Sequence, residues 1–449
     1  MELIGGLDWL GSGAMTMIAF VFVLGIVVFV HEFGHYIVGR WCGIHAEVFS
    51  LGFGREIFGW TDSRGTRWRV GPIPLGGYVK FLGDADASSR ADHAAVAQMD
   101  AERRARSFPG AAIWKRSLTV AAGPIANFLL SIVIYAGLLV YSGMTMEVPR
   151  LGPVPDVVAE ATPLRDGDLI RTVEGVPTPT TRQFFEELDA NRDTGSIALE
   201  VERDGAVVSL TSDILHAPYV SGITPLSSAS RAGIRIGDLI VAVGDTPVRN
   251  FETLTTLVQA SEGNRIDVTV QRGAEQLILP MVPQMQDIMV DGEFVKRVVI
   301  GVQVGTSLSI ATETPYLHEA LWGGARQTWS VITLSLRGLY NIAIGVLSPQ
   351  NLNGPVGIAQ ISGEAVEQGA TSFILFIALI STGIGLINLF PIPVLDGGHL
   401  VLHGIEALTG RPPSGKWLEF AMALGLAMVL SLMVFATYND ITRFLGSLT

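Results

Sequence analysis

Charge is what this sequence has least of. Of its 449 residues only 16% are Asp, Glu, Lys or Arg, while 49% are hydrophobic and the mean hydropathy is +0.42. Soluble chains carry about 25% charged residues, so a disordered tail protein and a cytosolic enzyme both fit poorly. Positive charge is scarcer still. Thirty Lys and Arg against 42 Asp and Glu give a net charge of -12 and a pI near 5.2, which leaves no basic face and no nucleic-acid partner. Cysteine is nearly missing. The lone Cys42 forms no intrachain disulfide, supplies no Cys-based zinc site, and reads as a small buried apolar residue. Glycine, at 51 residues, is plentiful but follows no collagen-like period. What remains is a membrane protein.

Four stretches free of Asp, Glu, Lys and Arg are long enough to cross a bilayer: Trp9 to Val30, Ser117 to Met146, Gln368 to Leu395 and Phe420 to Asn439. Their helices are expected over 9–40, 115–146, 368–395 and 417–439. No Lys or Arg precedes the first and no small-residue cleavage site follows it, so it is expected to stay in the mature protein rather than act as a signal peptide. Eleven Lys and Arg, from Arg55 to Arg116, lie between the first two spans, nine of them in the loop at 43–112. The positive-inside rule puts that loop in the cytoplasm and both termini, with the long central region, on the periplasmic side of an inner membrane.

The central region repeats. Gly167-Asp168-Leu169-Ile170 returns as Gly237-Asp238-Leu239-Ile240, Pro177 as Pro247, and Ile197 and Arg203 as Ile266 and Arg272. Each copy reads as a strand, a turn, a short helix (Thr181 to Leu188; Phe251 to Gln259) and an alternating strand. Two copies make no solenoid, so tandem modules are expected at 150–215 and 219–285, followed by a connector at 286–325. Apolar residues at helical spacing from Trp329 to Val346 predict an amphipathic interfacial helix over 326–348. Arg67 to Lys80, rich in glycine and proline, predicts an extended hairpin at about 66–81.

The chemistry concentrates where the first span ends, in His31-Glu32-Phe33-Gly34-His35. Residues i and i+4 share a helix face, so both imidazoles reach one metal and Glu32 can hold a water on it. Zinc suits two imidazoles and a carboxylate with a fourth position open. Ionisable side chains in an apolar run are costly and imply function. Helical rise sets His31 about 13 Å from Arg40, within the bilayer. The third ligand is expected to be Asp396, which follows the uncharged run ending Asn388-Leu389-Phe390-Pro391-Ile392-Pro393-Val394-Leu395. Pro391 and Pro393, with Gly397 and Gly398 just beyond, are expected to prevent a regular helix there. His399 and His403 are also four apart, but Leu400 stands where the glutamate is needed, and both read as interfacial packing. His45, His93, His216 and His318 lie in polar loops.

With Gly123-Pro124-Ile125-Ala126-Asn127 in the second span, these motifs resemble the site-2 protease family of intramembrane zinc metalloproteases. The segment Gly233 to Ile240 resembles the core of bacterial PDZ domains. Tandem modules and the loop Pro72 to Lys80 narrow the likeness to the regulator of sigma-E type. The resemblance implies a polytopic α-helical membrane protein of four transmembrane helices, two periplasmic α+β PDZ domains and a membrane-associated β-hairpin. It implies Zn²⁺ on His31, His35 and Asp396, Glu32 as catalytic base, and substrate-holding roles for Asn388, Pro391 and the loop at Gly76, Gly77 and Tyr78. Implied partners are the lipid bilayer, single-span substrates of the anti-sigma-factor type after a first cleavage, remnant signal peptides, and peptide C-termini at the PDZ domains. Two other classes stay open at this point. A PDZ-bearing scaffold or holdase would need no metal, and a transporter would show inverted repeats among its spans.

Overall fold

Among the described residues, four helices are long and apolar enough to cross a membrane: Gly13–Trp41, Ile113–Ser142, Ala370–Asn388 and Gly415–Arg443. Each overlaps one of the four uncharged runs. The structure, a computed structural model, describes residues 2–85, 93–159, 162–192, 194–213, 215–290, 293–305, 308–411 and 415–446. The chain divides into two units, one of residues 1–138, 317–345 and 349–449, the other of 139–316 with 346–348.

The first unit holds α1 (Glu2–Trp41), α2 (Ile113–Ser142), α3 (Leu317–Ala343), α4 (Pro355–Glu367), α5 (Ala370–Asn388), α6 (Asp396–Thr409) and α7 (Gly415–Gly446). Small residues let α1 and α2 touch. A Cβ on Gly34 would run into the Ala122 carbonyl and the Ala126 side chain. Without hydrophobic driving force between helices in lipid, such close backbone approach is what holds spans together. Hydroxyls add to it between α2 and α5: Ser131 donates to the Ala378 carbonyl at 2.9 Å, and Thr382 donates to Ser131 at 2.9 Å. The ion pair of Arg116 with Glu406, two hydrogen bonds of 3.1 and 2.7 Å, ties α2 to α6. Helix α4 has no counterpart in the sequence reading. Its first amides are satisfied by a carboxylate from another helix, Asp440 of α7, which accepts from Gly354 N–H at 3.1 Å and Gly357 N–H at 2.8 Å.

The helix expected over 326–348 begins at Leu317 and ends at Ala343. Its buried face is Ala320, Gly324 and Thr328, with Gly324 against the Ile132 carbonyl of α2. Trp329, Leu336 and Leu339 of the expected apolar stripe are exposed.

Four strands follow α1: β1 (Ala46–Phe53), β2 (Phe58–Thr61), β3 (Arg67–Val70) and β4 (Ile73–Phe81), in the order β2-β3-β1-β4. The hairpin expected at 66–81 is therefore not one. Its two arms are strands, but β3 pairs in parallel with β1 while β4 pairs antiparallel on β1's other edge. The linking Gly71-Pro72 crosses over β1 instead of turning back beside β3, with Gly71 N–H bonded to the Leu51 carbonyl at 2.8 Å. Trp68 stacks on Phe49 at 4.3 Å and fixes the parallel register from the apolar side. Cys42 is buried in this cluster, as expected of a small apolar residue.

The second unit contains the repeat. In the first module Leu169–Val173, Ile197–Arg203 and Ala206–Ser212 form consecutive strands of a sheet, with the helix Thr181–Ala190 burying Phe184 and Leu188. The second module repeats this with Leu239–Val243, Ile266–Arg272, Glu275–Met281 and the helix Phe251–Ala260. The repeated Asp and Arg are partners. Arg203 donates to Asp168 at 2.8 and 2.7 Å, and Arg272 to Asp238 at the same distances. Both carboxylates are buried and also accept a backbone N–H, from Arg165 and Arg235.

The expected connector at 286–325 is largely built into the modules. Val302–Gly305 pairs with Tyr219–Ile223 and extends the second sheet, next to the hairpin Gln284–Val290/Glu293–Val299. Leu308 and Ile310 then complete the first module's core beside Leu151, with Ala311 N–H bonded to the Arg150 carbonyl at 2.7 Å. The second module is thus inserted in the first. A short ladder of Met144–Thr145 with Thr312–Glu313 closes the insertion.

Candidate metal centre

His31 and His35 lie one turn apart on α1 and project toward α2 and the start of α6. Their Nε2 atoms are 3.2 Å apart. Asp396 Oδ2 lies 3.1 Å from His31 Nε2 and 3.4 Å from His35 Nε2. Four ligand atoms about 2.0–2.1 Å from a zinc ion stand about 3.3 Å from one another, so these three atoms have the spacing of three tetrahedral corners. Two further observations fit a metal. Asp396 Oδ2 is buried, and among the described residues no neighbour meets it with hydrogen-bond geometry. Gly123 of α2 faces the cluster, and a Cβ there would lie 2.9 Å from His31 Nε2 and 2.5 Å from His35 Cε1. The space is kept clear on the side where only glycine leaves it so.

Local sequence explains each placement. Gly34, inside the histidine motif, brings α1 onto α2. After α5 ends at Asn388, the chain folds back on itself through Pro391 and Pro393 and restarts as α6 at Asp396. The carboxylate thereby sits in the first turn, where the helix dipole favours negative charge. Gly397 and Gly398 are buried beneath the fold-back, and a Cβ on either would strike the carbonyls of Leu389 or Ile392.

Around the cluster is a cavity of about 230 Å³. Glu32 lines it at 8% exposure, together with Asn388, Gly77 and Tyr78. Pro391 and Gly76, also singled out from the sequence, are not among its lining residues. Gly77 permits β4 to lie against α1, since its Cβ would stand 2.8 Å from Glu32 Cγ. His399 lines the cavity without joining the three-atom cluster, and His403 is buried with Nδ1 3.2 Å from Ser117 Oγ. Sequence reasoning missed the groups behind the imidazoles. His35 Nδ1 lies 2.9 Å from the Thr119 carbonyl, and His31 Nδ1 lies 3.2 Å from the Asn127 amide. A backbone carbonyl leaves no mark in a sequence, but an asparagine within an uncharged run does.

Apolar spans enclosing a buried cluster of two histidines and an aspartate, with a glutamate at its side, define a membrane-embedded metalloprotease. The chain belongs to peptidase family M50, whose family model matches residues 19–432 and whose members depend on zinc. It is 37% identical to an Agrobacterium fabrum protein whose name contains the words zinc metalloprotease, over 97% of this chain and 98% of that one. It is 31% identical to Protease RseP of Yersinia pestis, over 95% and 98% of the two chains. A Neisseria meningitidis protein, again with zinc metalloprotease in its name, is 32% identical over 96% of this chain and all of its own.

Proposed function

We propose that this protein hydrolyses peptide bonds within or near the transmembrane segment of single-span membrane proteins, with His31, His35 and Asp396 as zinc ligands and Glu32 as general base. The observation that carries this reading is the convergence of the three ligand atoms beside Glu32 in a cavity whose further wall is β4. When bound, zinc supplies a Lewis acid that brings a water's pKa toward about 7. Glu32 takes the proton of the attacking water on its carboxylate and later hands it to the leaving amine. Burial of the site keeps bulk water from competing for that proton.

A helical substrate hides its peptide bonds in its own hydrogen-bond ladder and has to unwind before it is cut. Strand β4 supports a means of holding the unwound segment. It is the edge of its sheet, and Gly77, Tyr78 and Val79 line the cavity. The substrate adds to that edge as a further strand. Asn388 holds its backbone from the other wall, Gly76 lies within the strand that receives it, and Pro391 shapes the turn after α5.

The charge pattern supports an inner-membrane protein with the sheet on the cytoplasmic side and both termini outside. The two modules are of PDZ type and sort substrates, accepting those already trimmed by another protease. Anti-sigma factors and remnant signal peptides are the substrate classes in view. The test is a single-span substrate incubated with wild type and Glu32→Gln. The variant keeps its zinc and loses about 10²–10⁴ in rate. Turnover at the wild-type rate would remove the mechanism.

A further inference from the structure

Asn127 of α2 is fully buried within a membrane span, where an amide is costly unless it has work to do. Its backbone is pinned: the Asn127 carbonyl accepts from Ser381 Oγ of α5 at 2.9 Å. Its side chain reaches His31, with Nδ2 3.2 Å from Nδ1. Its other end, Oδ1, is buried with no partner among the described residues. In this orientation the amide N–H donates to Nδ1, which puts the imidazole proton on Nε2. Nε2 is the atom that faces His35 and Asp396, and a protonated Nε2 offers no lone pair to a metal. A half-turn of the amide reverses this, because Oδ1 then accepts a proton held on Nδ1.

We propose that Asn127 is a positioning residue that holds the Nδ1–H tautomer of His31 through its amide oxygen, leaving the Nε2 lone pair free for zinc. The hydroxyl of Ser381 sets the height of Asn127 along α2, and the amide transmits that setting to the ring. His35 obtains the same service from a backbone carbonyl, that of Thr119. His31 faces a side chain instead, so its tautomer is open to mutation. Partners of this kind typically account for 10–100-fold in metal affinity. The inference rests on the zinc reading given above.

The experiment measures zinc affinity of the full-length protein in detergent by competition with a chelator, alongside the absorption spectrum of the cobalt-substituted protein. Asn127→Leu keeps the shape without an acceptor and lowers zinc affinity about 10–100-fold. Asn127→Asp, whose carboxylate accepts the same proton, stays within a few-fold of wild type and keeps its cobalt spectrum. A role in packing alone predicts the reverse order, with leucine tolerated and a buried uncompensated charge harmful. Thr382→Val, which removes a hydroxyl bond between α2 and α5 without touching Asn127, controls for loosening of the helix pair and keeps the metal. Asn127→Ala, which cannot overpack, replaces the leucine variant should that one not fold. Wild-type affinity in the variants lacking an acceptor, or loss in Asn127→Asp as large as theirs, would overturn the assignment. His31→Ala in the same assay separates the two layers. If it keeps zinc, the metal site itself is wrong; if it loses zinc while Asn127→Leu does not, only the role of Asn127 falls.

Discussion

Gly123→Ala should abolish metal binding without touching a ligand. The added methyl would lie 2.5 Å from His35 Cε1 and 2.9 Å from His31 Nε2, against an ordinary contact of 3.4 Å or more. His35 Nε2 is nearer still, so the two rings must retreat by roughly 0.5–1.0 Å, or α1 must part from α2. Neither is cheap. Zinc–ligand distances tolerate only about ±0.2 Å, so a retreat of that size takes both imidazoles out of range. Parting the helices forfeits the contact at Gly34 and costs about 1–3 kcal/mol, as overpacking generally does. The expected result is a fall in zinc affinity of at least about 100-fold, the upper end of outer-shell effects. Gly137→Ala is the control, on the same helix, because a Cβ there meets nothing within 4 Å. Zinc content after gel filtration and chelator competition read the outcome, with circular dichroism to check that the helices persist. A Gly123→Ala protein that binds zinc as tightly as wild type would refute the geometry of the site. Equal loss in Gly137→Ala would show that the effect belongs to the helix and not to the cluster.

Three other outcomes are expected. His31→Ala, His35→Ala and Asp396→Ala should each lose zinc and activity together; an Asp396→Ala protein at full zinc content would turn attention to His399, which lines the same cavity. Arg272→Met should destabilise the second module by about 3 kcal/mol, because Asp238 is left buried without its counter-charge, and hydrogen exchange of Ile266–Arg272 should report it as an approximately 100-fold loss of protection. Unchanged exchange would mean that the pair is dispensable. Removal of residues 148–309, rejoined across the ladder of Met144–Thr145 with Thr312–Glu313, should admit substrates that still carry an outer domain; if intact substrates stay uncut while trimmed ones are cut more slowly, the modules capture peptide ends instead of excluding bulk.

The spans, the histidine motif and the repeat could be read from the sequence because each is a local pattern. Length without charge specifies a membrane helix whatever surrounds it. A spacing of four puts His31 and His35 on one face of α1 as soon as the helix forms. Asp396 was legible for a related reason, since an acid closing an uncharged run of 28 residues stands out against lipid. The repeat identified Asp168 with Asp238 and Arg203 with Arg272. That the aspartates bind the arginines is a fact of folding over 34 or 35 residues.

Tertiary structure alone decided the rest. Strand β1 lies between β3 and β4 because register follows from packing Phe49 on Trp68, and nothing local distinguishes that arrangement from a hairpin. Leu308 and Ile310 return to a core begun at Leu151, a closure too long for any periodic signal to announce. Behind the site, the Thr119 carbonyl serves His35 through an atom that every residue possesses, and Asn127 serves His31 only because Gly34 lets α1 come close enough. Residue type and spacing fix which atoms can bind a metal. Whether their second nitrogens are held, and whether a glycine leaves the metal its space, depends on helices brought together from distant parts of the chain.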